Sequence, residues 1–245
     1  MQPWQTALGA TLAGQIMMSM SAISVPVLAP AIAEGLALDP SLVGIYTSLL
    51  YGLTMLGSLL GSRTIARWGP IRASQLCLAG ALGGLVLAAV AGLPGLVLSA
   101  IMIGFAIGPM TPASSHLLAR LAPAGRRNLI FSLKQTGVPL GNALAGLIVP
   151  GLALALAWPG ALVAVALACL ALALAFQPLR RQFDDAAARP PAPGGVLRPL
   201  AVVWRDRAMR RLALASLYFA TTQSCFAAFL VVLLVENAEI GRAHV

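Results

Sequence analysis

Lys134 is the side chain with the most chemistry in this sequence. It is a lone lysine in a chain whose other fifteen basic residues are arginines, and it stands inside an apolar run. A charged side chain at the centre of a bilayer costs on the order of 3 kcal/mol or more, so it needs a reason to be there. Lys134 falls seven residues after Arg127, about 10 Å along a helix. Two readings follow. Its long stem can carry the ammonium back to the membrane surface, or the ammonium faces a solute path, where it would bind an anionic or carbonyl-bearing substrate. Lys134, Gly137 and Gly141 share a helical face, and a glycine face packs against protein. Gln135 and Asn142 form a neighbouring polar stripe.

Other uncharged polar groups recur in apolar surroundings. Gln15 and Ser19 are four residues apart. Thr111 and Ser115 are also four apart, and share a face with Gly104 and Gly108. Tyr218, Thr221, Thr222 and Cys225 lie along another face. Such groups can hydrogen-bond a solute. They do not assemble acid–base or nucleophilic chemistry: the apolar stretches before residue 178 contain no carboxylate, and no G-x-S-x-G or H-E-x-x-H occurs. His116 reads as structural. The three cysteines lie in apolar stretches without C-x-x-C spacing and read as packing groups. No metal or cofactor is expected, and the chain does not read as an enzyme.

The elements that must position these residues are membrane helices. The chain is 59% hydrophobic and 9% charged, against about 25% charged for a soluble domain. Seven apolar stretches are long enough to span a bilayer, at roughly 6–33, 42–66, 73–92, 95–118, 129–152, 158–177 and 211–235. Fourteen of the sixteen basic residues fall in three clusters: 63–72, 120–127 and 180–211. The turns near 34–40, 92–95 and 157–160 carry none. By the positive-inside rule the clusters and the N-terminus face the cytoplasm. The net charge of +9 therefore marks topology and not a nucleic-acid partner. Arginine-rich, GC-like composition points to a bacterial inner membrane.

The fold class is thus an all-α polytopic membrane protein. Residues 1–177 read as a six-helix bundle, 178–210 as a Pro-bearing cytoplasmic linker, and 211–238 as a seventh helix. A short amphipathic surface helix is expected over Val202–Arg211. Spans three and six are almost wholly apolar and are expected to face lipid. Spans one, four and seven are polar, and one and four also carry prolines. Pro26, Pro109 and Pro139 free the carbonyls of Ala22, Phe105 and Gln135. Gly57-x-x-x-Gly61 and Gly137-x-x-x-Gly141 stand in spans two and five, a faint three-plus-three repeat. Residues 239–245 back-translate to a common sequencing adapter and read as read-through, with the chain cut after span seven.

This pattern resembles the Major Facilitator Superfamily, whose members have twelve helices in two halves, with helices one, four, seven and ten along the path. The loop after span two is similar to the family's G-x-x-x-D-R-x-G-R-R: Arg67 and Gly69 match, Arg72 is one place late, Ser62 replaces the glycine and Ala66 the aspartate. The stretches Gly108–Ser115 and Leu133–Gly141 also resemble spans four and five of bacterial members. The resemblance implies a monomeric secondary transporter of a small solute working by alternating access, with a proton or other ion coupled. It places Arg67, Gly69 and Arg72 in a gating loop whose charge network is altered. Candidate substrate contacts are Gln15, Ser19, Thr111, Ser115, Lys134, Gln135, Asn142, Tyr218 and Thr222. A seven-helix receptor or an intramembrane enzyme is the alternative.

Overall fold

The computed structural model describes residues 2–39, 42–184 and 198–238, and every regular element among them is helical. This is what a chain in hydrocarbon requires, because a helix satisfies its backbone internally. The elements are α1 (Pro3–Val27), α2 (Ala29–Leu36), α3 (Leu42–Trp68), α4 (Pro70–Val90), α5 (Gly92–Leu121), α6 (Arg127–Gln135), α7 (Gly137–Ala175), α8 (Gln177–Phe183), α9 (Arg198–Arg205) and α10 (Arg207–Ala238). Among the described residues, five helical stretches are long and apolar enough to cross a membrane, the last running over Ala124–Ala175. That stretch bends at Ala157, where φ is 58° and ψ is 169°. Residues 239–245 lie outside the described residues.

Prolines locate the breaks. The first span, expected to be continuous, is interrupted at Leu28 between α1 and α2, because Pro30 cannot donate to the carbonyl of Pro26. Pro139 acts similarly on Gln135, and α6 stops there, with Thr136 as the joint.

The contacts divide the chain into two compact units, Met1–Ala192 and Pro193–Val245. In the first, α1 packs on α7, α3 on α5, and α4 on both α5 and α7. Glycines make two of these contacts close. A Cβ at Gly141 would strike the carbonyl oxygen of Ile16 and approach Ser19 Cβ to 2.8 Å, while one at Gly137 would come within 2.9 Å of Gln15 Cβ. On the other side, Gly57 lies against the carbonyl of Phe105, freed by Pro109, with 2.7 Å to an added Cβ. Gly108 meets the backbone of Gly57 and Ser58, and Gly104 meets Leu50.

A further expectation is overturned. Span three does not lie mainly against lipid: Ala73, Leu78, Ala81, Leu85 and Ala88 of α4 are fully buried. Protein interior and lipid are equally apolar, so an apolar helix can occupy either.

The polar segment after span six begins with ordered structure. Phe176 and Phe183 bury their rings at the two ends of α8. Asp184 then accepts hydrogen bonds from the amides of Ile71 (2.8 Å) and Arg72 (3.0 Å), capping the N-terminus of α4. Gly69, at φ 85°, makes room for it; an added Cβ would lie 2.5 Å from the carboxylate. Gln75 adds a second link, donating to the carbonyl of Ala173 (2.8 Å) and to Gln177 Oε1 (3.0 Å).

In the second unit, the amphipathic helix expected over Val202–Arg211 is split. Asp206 accepts from the amides of Ala208 (2.8 Å) and Met209 (3.0 Å), starting α10 afresh.

Two stability changes follow. Asp184→Ala should lower unfolding stability in detergent by about 1–3 kcal/mol, the range for hydrogen bonds to a charged group; thermal melting indistinguishable from the parent would refute the cap. Gly141→Val should cost about 1–3 kcal/mol through overpacking. Gly146→Ala, with nothing within 4 Å of the added carbon, should not destabilise the chain.

Candidate substrate site

The glycine contact between α1 and α7 governs what its neighbours can do. Because Gly137 and Gly141 bring α7 onto Gln15, Ile16 and Ser19, the residue one turn earlier, Lys134, is drawn into the bundle. Lys134 is 2% exposed, among the largest fully buried side chains. Its Nζ donates to Ser115 Oγ on α5 at 3.4 Å. Among the described residues this hydroxyl is its one polar partner. The ammonium therefore does not run back along α6 to the arginine-rich end.

Gln15 is 6% exposed and lies one turn from that contact. Its Nε2 donates to Thr111 Oγ1 at 3.4 Å, while its Oε1 has no partner among the described residues. The α1–α5 rung of Gln15 and Thr111 and the α6–α5 rung of Lys134 and Ser115 are thus adjacent turns of α5. Four expected residues come together here. Thr111 is exposed and Ser115 half-buried, so the cluster runs from the interior to the surface of the unit.

Other candidates fall elsewhere. Ser19, half-buried, packs beside Gly141. Gln135 and Asn142 are exposed, on either side of the joint at Thr136. Gly104 and Gly108 do not share the hydroxyl face of Thr111 and Ser115: they press on α3, with Pro109 and Pro112 intervening. Tyr218 and Thr222 lie on α10 in the second unit, where the Thr222 hydroxyl donates to the Tyr218 carbonyl at 2.9 Å and Thr221 to Leu217 at 2.9 Å. Cys225 lies outside the side chains described.

In the loop between α3 and α4, the Arg67 guanidinium stands 5.5 Å from the Trp68 ring centroid. Gly69 and the Arg72 amide meet Asp184. A carboxylate thus reaches this loop from more than a hundred residues away, with Ala66 at the acid position of the motif. Sequence reading missed Asp184; its local signal was only an acid among arginines. An apolar cavity of about 180 Å³ lies between α1, α2, α3 and α5, lined by Val25, Ile32, Tyr46, Leu49, Leu96 and Ala100. It is remote from Lys134 and offers little to a polar solute.

The fold has counterparts among solved structures. A peptide transporter POT solved with sulfate superposes with a TM-score of 0.65 at 20% identity, covering 95% of this chain and 46% of that one. A POT family transporter solved with 5-aminolevulinic acid gives 0.65 at 18% identity, covering 95% and 50%. A mutant peptide transporter POT solved with alafosfalin gives 0.64 at 22%, covering 96% and 46%. The chain spans about half the length of these structures, and at such identities the likeness is one of fold. No curated protein sequence matches it. The profile of the Major Facilitator Superfamily matches residues 11–241. With membrane-length helices, that fold and a family match over most of its length, the chain belongs to the Major Facilitator Superfamily of multi-pass membrane proteins.

Proposed function

We propose that this chain is part of a secondary active transporter that carries a small organic or inorganic anion across a bacterial cytoplasmic membrane by alternating access. The observation that carries the reading is the buried ammonium of Lys134, held by Ser115 and, among the described residues, by no carboxylate. An isolated cation in an apolar setting is costly. An arriving anion offsets that cost and gains a charge-assisted contact. Thr111, Ser115 and Gln15 supply the uncharged polar groups that orient it. The partners are this solute, a coupling ion such as a proton, and lipid; the transporter acts as a monomer and is not an enzyme. The arginine clusters support a cytoplasmic N-terminus.

Uptake of a panel of organic acids and inorganic anions into vesicles bearing the intact transporter tests this. Lys134→Gln should weaken anion uptake about ten- to a hundredfold, the equivalent of one charged hydrogen bond. Lys134→Arg should retain part of it. Wild-type uptake by Lys134→Gln would remove the basis of the proposal. For topology, an N-terminal reporter should be active only in the cytoplasm; activity on the outer side would reverse the orientation.

A further inference from the structure

The same site holds a second unmet demand besides the cation. Gln15 is more than nine-tenths buried, its amide nitrogen is used on Thr111, and its Oε1 lacks a partner among the described residues. A buried acceptor left without a donor costs about 1–3 kcal/mol. The other groups close by do not relieve it. Ser114 Oγ donates to the Thr111 carbonyl at 2.9 Å, and Gly137 presents only backbone to the Gln15 stem.

The geometry limits what can meet both demands at once. Thr111 and Ser115 are successive turns of one helix face, with Cβ atoms about 5–6 Å apart. Gln15 reaches the first and Lys134 the second. A ligand that places an oxyanion on Lys134 and a donor on Gln15 bridges these two turns, and a compact acid with the donor one or two bonds from the carboxylate matches that spacing. Charge narrows the donor further. A free ammonium beside the Lys134 ammonium would be repelled in a setting of low dielectric. A hydroxyl or an amide N–H would not.

We propose, resting on the anion-transporter reading above, that the substrate is a carboxylate bearing a neutral hydroxyl or amide N–H donor next to it: a 2-hydroxy acid or an N-acylated amino acid. Lys134 binds the carboxylate and Gln15 Oε1 accepts the neighbouring donor. The pair then distinguishes such acids from plain carboxylates of the same size, because only a donor-bearing ligand satisfies the amide oxygen.

The test is competition for uptake in vesicles containing the intact transporter. Lactate, N-acetylglycine, propionate, pyruvate and alanine serve as probes. Lactate and N-acetylglycine should compete about tenfold better than propionate, the value of one hydrogen bond to a buried group. Pyruvate, which offers an acceptor, and alanine, which brings an ammonium, should do no better than propionate. Gln15→Met, of similar length but without the amide, should bring the lactate-to-propionate ratio close to one. Equal competition by lactate and propionate in the wild type, a preference for pyruvate, or an unchanged ratio in Gln15→Met would each overturn this assignment while leaving the anion reading intact. Competition by none of the anions, with Lys134→Gln indifferent, would overturn the transporter's anion specificity itself.

Discussion

The close approach of α1 to the start of α7 is the contact on which the site depends. Two glycines one turn apart let the helices meet backbone to side chain, with Ile16 and Ser19 on Gly141 and Gln15 on Gly137. In a bilayer there is little hydrophobic drive between helices, so packing of this kind must hold them together. The consequence for Lys134 is direct. One turn before Gly137, its side chain is buried and the ammonium ends on Ser115 of α5. The fold thus places a cation beside an amide oxygen that has no partner among the described residues, and the proposed solute chemistry rests on that placement.

The remaining architecture supports this contact from two sides. The crossing of α3 and α5 uses glycines and a proline-freed carbonyl, so that α5 is held firmly while its hydroxyl face stays turned to α1 and α6. At the arginine-rich end, Asp184 caps α4 and Gln75 links α4 to the junction of α7 and α8. These polar links fix the ends of helices whose apolar flanks could otherwise slide, because dispersion contacts are individually weak and non-directional.

Much of this was legible in the sequence. Membrane-length helices follow from apolar length, and Pro139, read as freeing the carbonyl of Gln135, falls beside the joint at Thr136, whereas the break at Leu28 was not foreseen. Lys134, Gly137 and Gly141, grouped by helical spacing, are all buried, the glycines against α1 and Lys134 against Ser115 of α5. Burial was harder. Span three looks like a lipid-facing helix because lipid and protein interior demand the same residues, yet Leu78 and Leu85 are fully buried. The two polar-looking faces of α5 were merged in the sequence because ideal helical periodicity takes no account of Pro109 and Pro112 between them. Asp184 was invisible because a cap contributed across 113 residues leaves no local pattern. The pairing of Gln15 with Thr111 was equally non-local, though both residues had been singled out by their polarity.

The central claim is that a positive charge at position 134 binds the solute. Chemical restoration of that charge tests it most directly. In a transporter with Lys134→Cys and the native cysteines replaced, aminoethylation of the new thiol rebuilds a lysine-like ammonium, whereas methylthiolation adds only a neutral cap. The account predicts that anion uptake is lost in the cysteine variant, returns on aminoethylation and stays absent on methylthiolation. Uptake retained by the unmodified cysteine variant, or restored equally by the neutral cap, would contradict it.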